Sequence, residues 1–231
     1  MERSLSALLP VCDAQTSLSS LVLDLLDVLP DLADRFDLVI VDDCSTDATI
    51  EVADELAACY PQIKAIRHAT RQGRPAAIAT GLANSRGRIV FLQDAECTVA
   101  CDEIPRLWQE IGEHEVVLGR AGRPTRLPWT GGRFSEPKDR GGFCLFHRRA
   151  VESIQPYLEN LSNLRNYLAA NRLQWHEVEV RDRALQPRRQ RTRKFGSVST
   201  DRAQPQRHFA DNGGLRGPNY LDRFRQFAFG E

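Results

Sequence analysis

Short apolar runs alternate with amphipathic stretches over residues 1–120, and this alternation restricts the fold more than any other feature of the sequence. Five apolar runs predict strands at Leu5–Val11, Asp37–Val41, Ile63–Arg67, Arg88–Leu92 and Glu115–Leu118. Four stretches with helical spacing predict helices at Ser17–Leu29, Asp47–Cys59, Pro75–Ser85 and Ile104–Ile111. Strands that alternate with helices pair in parallel, and strands that are apolar on both sides need cover on both faces. The sequence therefore predicts an α/β fold with an open, mostly parallel sheet and helices on both faces.

The second half of the chain is less regular. Residues 119–142 are rich in Gly, Pro and Arg and predict a long loop. Two more strands are predicted at Gly142–Phe146 and Glu177–Val180, with helical segments between them over Ala150–Ala170. From Arg181 onwards the sequence is basic and polar, with aromatic residues near its end. We expect one domain over residues 1–180, with halves at about 1–120 and 121–180, followed by a basic loop and tail over 181–231.

Charge and composition exclude several classes of protein. The 31 basic and 31 acidic residues give zero formal net charge, so we expect no nucleic-acid partner. No apolar run is long enough to span a bilayer, and the N-terminus lacks the pattern of a signal peptide. The six cysteines form no CxxC pair, which favours a reducing, cytoplasmic environment.

Acidic residues follow two of the predicted strands directly. Asp42 and Asp43 follow the second strand, and Asp94 and Glu96 follow the fourth. Ligands of open parallel sheets bind outside the carboxyl ends of the strands, so these four acids are expected to face one crevice. Carboxylates that lie together repel one another, and a divalent cation would satisfy them. The alternative is an ordinary turn, in which Ser45, Thr46 or Asp47 caps the next helix.

Five segments resemble family 2 glycosyltransferases in their order and spacing. They are "LPVCDAQTSL" (Leu9–Leu18), "VIVDDCSTDAT" (Val39–Thr49), "RQGRPAAIATGLANSRGRIVFLQDAE" (Arg71–Glu96), "EVVLGR" (Glu115–Arg120) and "GGFCLFHRRAV" (Gly141–Val151). The last segment is similar to one in the polyprenyl-phosphate sugar transferase branch. The resemblance implies a GT-A-type fold, with a Rossmann-like nucleotide-binding half and a looser acceptor half, and an inverting transfer of a sugar.

The resemblance also implies roles for individual residues. Pro10 and Val11 would line the nucleotide site, Asp42 or Asp43 would contact the base or ribose, and Arg71, Gly73 and Asp94 would lie near the nucleotide. Asp94 and Glu96 would hold Mg²⁺ or Mn²⁺ on the diphosphate of a nucleoside-diphosphate sugar. Three positions depart from the pattern of the family: Glu96 replaces Asp, Asp13 replaces Asn, and Cys44 replaces Gly, where a side chain would narrow the turn.

The acceptor side is less defined, and a lipid phosphate is one acceptor that the resemblance implies. An alcohol acceptor needs a general base, for which Asp139 is the first candidate and Glu136 the second. A phosphate acceptor is already ionised and needs none. Arg193 and Lys194 loosely resemble a segment that closes over the diphosphate, and the alternative is a solvated basic loop.

Other interpretations remain open from the sequence. The chain could be a catalytically inactive, nucleotide-binding relative with the same fold. "VIVDDCSTD" also resembles the start of a phosphorelay receiver domain, although a strand and a helix precede it here. The basic residues 181–194 and the aromatic residues 220–229 either make weak, salt-sensitive contact with an anionic membrane surface or pack on the domain.

Overall fold

A computed structural model describes residues 3–95, 97, 99–121, 142–158 and 161–181. All of them belong to one compact unit, Met1–Gln186. The predicted division into a domain over 1–180 and a tail over 181–231 stays a prediction.

Seven strands of the described residues form one sheet in the order β3-β2-β1-β4-β6-β5-β7. The strands are β1 (Ser4–Val11), β2 (Arg35–Asp42), β3 (Ile63–Arg67), β4 (Ile89–Gln93), β5 (Val116–Ala121), β6 (Phe143–His147) and β7 (Trp175–Val180). β6 runs antiparallel to β4 and β5, whereas all the other neighbouring strands pair in parallel. The carboxyl ends of six strands therefore share one edge of the sheet.

Helices cover the sheet on both faces, as the sequence predicted. They are α1 (Leu18–Val28), α2 (Thr49–Cys59), α3 (Arg74–Ala83), α4 (Ile104–Glu110), α5 (Val151–Ile154) and α6 (Leu161–Ala170). On one face, residues of α3, α5 and α6 form an apolar cluster with alternate strand residues such as Leu8 and Leu92. The intervening strand residues, among them Leu9 and Phe91, are equally buried on the other face, beside α1, α2 and α4.

The packing of α3 brings its first turn to the carboxyl edge of the sheet. A Cβ atom on Gly81 would lie only 3.3 Å from Leu8 of β1, so the missing side chain lets the helix approach the strand closely. Pro75 occupies the first turn, where its missing N–H leaves no partner unsatisfied. The helix therefore begins next to the loops that follow β1, β2 and β4.

The predicted strands and helices are confirmed, with boundaries that differ by at most three residues. β5 extends to Ala121 because β7 pairs with it along its whole length. β2 begins at Arg35, two residues before the apolar run, because Arg35 and Phe36 pair with Ser4 and Leu5 of β1. Within the described ranges, none of the helices combines the length and apolar character needed to cross a bilayer.

Candidate functional site

The loops that follow β1 and β2 are joined at the carboxyl edge of the sheet. The Asp13 backbone N–H donates to Ser45 Oγ at 2.9 Å, and the Thr46 N–H donates to Asp13 Oδ1 at 2.8 Å. The Ala14 N–H donates to Thr49 Oγ1, also at 2.8 Å. Polar side chains of each loop thus bond to backbone groups of the other, and we call the two joined loops, residues 12–17 and 43–48, the floor of the site.

Two residues of this floor have left-handed backbone conformations. The φ angle is 53° at Asp13 and 60° at Cys44. Asp tolerates this region, whereas an ordinary side chain such as that of Cys costs energy there. The turn at Cys44 therefore has the geometry that favours Gly, in line with the departure noted in the sequence. Hydrogen bonds from the Thr46 N–H and hydroxyl lower the pKa of the exposed Asp13 carboxyl.

Asp42 is part of the support beneath this floor. The residue is fully buried, and its carboxylate accepts hydrogen bonds from the backbone N–H and hydroxyl of Ser45. Arg67 Nε lies 3.5 Å from Asp42 Oδ2. The expectation that four acids face one crevice is therefore wrong for Asp42, because this side chain turns inwards to protein partners that neutralise it.

Asp43 joins the end of β2 to the start of α3. Its Oδ1 accepts from the Gln72 N–H at 2.9 Å and its Oδ2 from the Gly73 N–H at 2.8 Å, while His68 Nδ1 lies 2.8 Å from Oδ1. Burial raises the pKa of the Asp43 carboxyl, but these hydrogen bonds outweigh it and hold the pKa below its ordinary value. The charge also lies at the N-terminus of α3, where the helix dipole favours an anion.

His68 is a residue that sequence reasoning missed. It is buried directly after β3, where its backbone N–H donates to the Asp42 carbonyl. Its ring Nε2 lies 2.9 Å from Thr80 Oγ1 of α3. The imidazole therefore lies between Asp43 and Thr80 and holds the Asp43 carboxylate in its orientation. The available signal was its place directly after a strand, but its partners lie 12 and 25 residues away in the chain.

The loop between β3 and α3 presents a cation and a glycine at the same edge. Gly73 has a φ of 88°, which explains a glycine at this point, and among the described residues a Cβ there would contact only Pro75 Cδ, at 3.7 Å. Arg71 is exposed. Burial raises the pKa of the Cys12 thiol, and the positive charge of Arg71 opposes this shift.

Asp94 follows β4, which is separated from β2 by β1 in the sheet. Arg74 Nε donates to Asp94 Oδ1 at 2.8 Å, with the two side chains 20% and 16% exposed. The Asp94 N–H donates to Gly142 O at 3.0 Å. A Cβ atom on Gly142 would lie 2.6 Å from Asp94 Oδ2, so this glycine provides the space beside the carboxylate.

Asp94 is suited to hold a divalent cation, since Mg²⁺ commonly binds one or two carboxylates and completes its shell with water and phosphates. The described residues contain no group of three His, Cys, Asp or Glu side chains that would enclose an ion by themselves. Any ion would therefore depend on Asp94 together with ligands from elsewhere, and Glu96 lies outside the described residues.

The other predicted site residues divide into two groups. Pro10 and Val11 lie at the carboxyl end of β1, half-buried and buried respectively, between the ends of β2 and β4. Four predicted residues lie outside the described part of the chain: Glu136, Asp139, Arg193 and Lys194. The structure thus brings Pro10, Val11, Asp42, Asp43, Arg71, Gly73 and Asp94 to one edge of the sheet.

Comparison with protein families and curated relatives gives a consistent result. The family model described as "Glycosyl transferase family 2" matches residues 6–137, more than half of the chain. A dolichol-phosphate mannosyltransferase of Saccharomyces cerevisiae is 27% identical over 90 residues, which cover 39% of this chain and 34% of the relative. A dolichol-phosphate mannosyltransferase of Pyrococcus furiosus is 27% identical over 142 residues, which cover 52% of this chain and 40% of the relative. The chain therefore spans well under half the length of these two relatives.

Solved structures share the fold. Glucosyl-3-phosphoglycerate synthase from Mycobacterium tuberculosis, in complex with Mn²⁺ and uridine-diphosphate-glucose, superposes with a TM-score of 0.57 at 19% identity. The match covers 80% of this chain and 72% of the synthase chain. At this identity the likeness establishes the GT-A fold alone.

Proposed function

The chain belongs to glycosyl transferase family 2, and on this premise we propose that it transfers a sugar from a nucleoside-diphosphate sugar to an acceptor. One observation carries the proposal: loops after three parallel strands converge at one edge of the sheet, with Asp43 bonded to the start of α3 and Asp94 beside it. This edge is where open α/β sheets bind nucleotides. The receiver interpretation has no support from the family match.

The donor would lie across the floor formed by the loops after β1 and β2. In this proposal Pro10 and Val11 line the nucleotide, Arg71 contacts it from the opposite loop, and Gly73 leaves an open side for close approach. Asp43 is the better candidate of the acidic pair for contact with the base or ribose, because Asp42 is fully buried. Asp42 then contributes by holding Ser45 in the floor.

Asp94, with Glu96, would hold Mg²⁺ or Mn²⁺ beside the diphosphate. When bound, such an ion neutralises the charge that develops on the leaving nucleoside diphosphate. The neighbouring Gly142 supports this assignment, since it leaves space at Asp94 Oδ2. The names of the solved synthase and its ligands, Mn²⁺ and uridine-diphosphate-glucose, agree with this class of donor.

The proposed acceptor is a lipid phosphate, which is the acceptor named for the two dolichol-phosphate relatives. A phosphate oxygen is already ionised, so Asp139 and Glu136 would orient the acceptor and not remove a proton. Arg193 and Lys194 are proposed to contact the donor diphosphate. With an alcohol acceptor, Asp139 would instead serve as the general base.

Nucleotide binding without transfer is the second candidate. The ion pair of Asp94 with Arg74 favours it, because the carboxylate that would hold the cation already has a positively charged partner. The two candidates differ in turnover and not in binding.

Release of UDP or GDP from a panel of UDP- and GDP-sugars, with and without a polyprenyl phosphate and Mn²⁺, tests the proposal. We expect release that depends on both the lipid phosphate and the cation. We also expect Glu96→Gln to lose the part of nucleotide binding that depends on the cation while remaining folded. Nucleotide binding with no release from any donor would favour the inactive relative.

A further inference from the structure

Arg74 makes three different contacts with its guanidinium group. Its Nε bonds to Asp94 Oδ1 at 2.8 Å, and its Nη1 donates to the Leu158 carbonyl. Its Nη2 is buried and has no hydrogen-bond partner among the described residues. Arg74 therefore connects α3 with the end of β4 and with the segment after α5, and it retains one unused donor.

The unused donor distinguishes Arg74 from a purely structural arginine. Buried polar atoms in folded proteins are nearly always paired, and an unpaired buried N–H of a cation is costly. Arg148 offers the contrast within the same chain, since its Nε, Nη1 and Nη2 all donate, to Gly87, Leu82 and Ser85. An anionic oxygen that arrived beside Arg74 Nη2 would supply the missing acceptor.

The position of Arg74 also affects how a divalent cation can bind to Asp94. A guanidinium at 2.8 Å from Asp94 Oδ1 already compensates the charge of that carboxylate. A second cation on the same carboxylate would be repelled by the first, because the two positive charges would lie close together. A divalent ion can therefore bind Asp94 fully only when Arg74 withdraws.

We propose that Arg74 occupies the cation position at Asp94 in the free protein and competes with the divalent ion for this carboxylate. The proposal rests on the proposed function, because it takes Asp94 as a ligand of the cation. The anionic diphosphate of the donor would draw Arg74 away through Nη2 and leave Asp94 to the ion. Arg74 would thus keep the site closed to cations until a donor arrives.

The test measures Mn²⁺ binding to the free protein, without nucleotide, by the loss of the electron paramagnetic resonance signal of the unbound ion. Arg74→Gln should bind Mn²⁺ about tenfold more tightly than the wild type, the order expected for removing one partly exposed, charge-assisted hydrogen bond that opposes it. Arg74→Met, which keeps the length of the side chain without its charge, should give the same gain.

Two controls locate the effect. Arg149→Gln removes the same charge from the opposite edge of the sheet, where Arg149 pairs with Glu115, and should leave Mn²⁺ affinity unchanged. Asp94→Asn added to Arg74→Gln should abolish the gain. A gain that survives Asp94→Asn, or that Arg149→Gln reproduces, would show a general charge effect and overturn the proposal.

Equal or weaker Mn²⁺ binding by both Arg74 variants, in protein that unfolds cooperatively, also overturns the proposal, including the case in which neither they nor the wild type binds the ion. This failure is separate from failure of the proposed function, which would appear as an absence of nucleotide binding in the wild type. If the wild type binds nucleotide but the Arg74 variants bind Mn²⁺ no more tightly, the proposed donor site stands and the proposed competition is excluded.

Discussion

Asp43 and Asp94 follow β2 and β4, the two strands that flank β1, at the same edge of the sheet, yet their surroundings differ. Asp43 is 7% exposed at its side chain and accepts from two backbone N–H groups and His68. Asp94 is 16% exposed and is bonded by the side chain of Arg74, which is itself 20% exposed. Backbone donors cannot leave without unfolding the loop, whereas an arginine side chain can change rotamer.

Acids that follow strands at the same edge of a sheet can therefore have different roles, depending on whether backbone groups or a side chain bond to them. Asp43 holds the start of α3 in place and is part of the framework of the site. Asp94 has a partner that can be exchanged for a ligand, which is what a cation site requires.

Asp43→Asn should destabilise the protein by about 2–3 kcal/mol, because an amide nitrogen would face one of the backbone N–H donors of Gln72 and Gly73 and leave a buried donor unpaired. Asp94→Asn should cost less than about 1 kcal/mol, as expected for a partly exposed ion pair. Urea unfolding measures both free energies. Equal losses of stability in the two variants would contradict the distinction between Asp43, which holds the loop before α3, and Asp94, whose partner can be exchanged.

The contribution of Asp43 to the free energy of unfolding should also depend on pH in the acid range. The pKa of the Asp43 carboxyl is lower in the folded protein than its ordinary value of 3.8, so the unfolded chain binds more protons between the two values. The stabilisation by Asp43 is thus present above the ordinary value and is lost as the pH falls through the folded pKa. The stability difference between wild type and Asp43→Asn should therefore shrink from about pH 5 to about pH 3. A difference that stays constant would contradict the proposed hydrogen bonding.

Gly142→Ala should disturb Asp94 without unfolding the protein. The new Cβ would lie 2.6 Å from Asp94 Oδ2, so the carboxylate must move. We expect the cation affinity of the nucleotide complex to fall by about tenfold, or 1.4 kcal/mol. Gly112→Ala is the matched control, because a Cβ at Gly112 would meet no atom of the described part of the chain within 4 Å. Titration of Mn²⁺ in the presence of UDP or GDP compares the two, and equal affinities would exclude Asp94 as a ligand.

Cys44→Gly should give the smallest effect, a stabilisation of about 0.5–1 kcal/mol, because Gly removes the strain of a φ of 60° but gains entropy in the unfolded chain. Arg172→Gly, at a φ of 54° away from the candidate site, should behave similarly. Thermal unfolding provides the comparison. A destabilised Cys44→Gly beside a stabilised Arg172→Gly would show that the Cys44 side chain itself supports the floor.

The strands, the helices and the placement of acids at one edge were predictable from the sequence, because hydrophobic periodicity and β-α alternation are local signals. The resemblance to the family also indicated a tight turn at Cys44 and a position near the nucleotide for Gly73. These features depend on short stretches of chain, and the structure has a positive φ at both residues, 60° at Cys44 and 88° at Gly73.

The partners of the acids were not predictable in the same way. Asp43 meets His68 and Gly73 across 25 and 30 residues, and Asp94 meets Arg74 across 20 residues. These pairings depend on how α3 docks on the sheet, which no local pattern reports. The sequence therefore grouped Asp42, Asp43 and Asp94 together, whereas packing buries Asp42 completely and bonds Asp43 to backbone donors of the loop before α3.

The central claim is that this sheet edge binds a nucleoside diphosphate with a divalent cation at Asp94. Thermal unfolding with UDP, GDP and two other nucleoside diphosphates, each with and without Mn²⁺, tests it most directly. We expect at least one nucleotide to raise the unfolding temperature, with a further rise in Mn²⁺ that Asp94→Asn removes. No rise with any nucleoside diphosphate, with or without the cation, would contradict the claim.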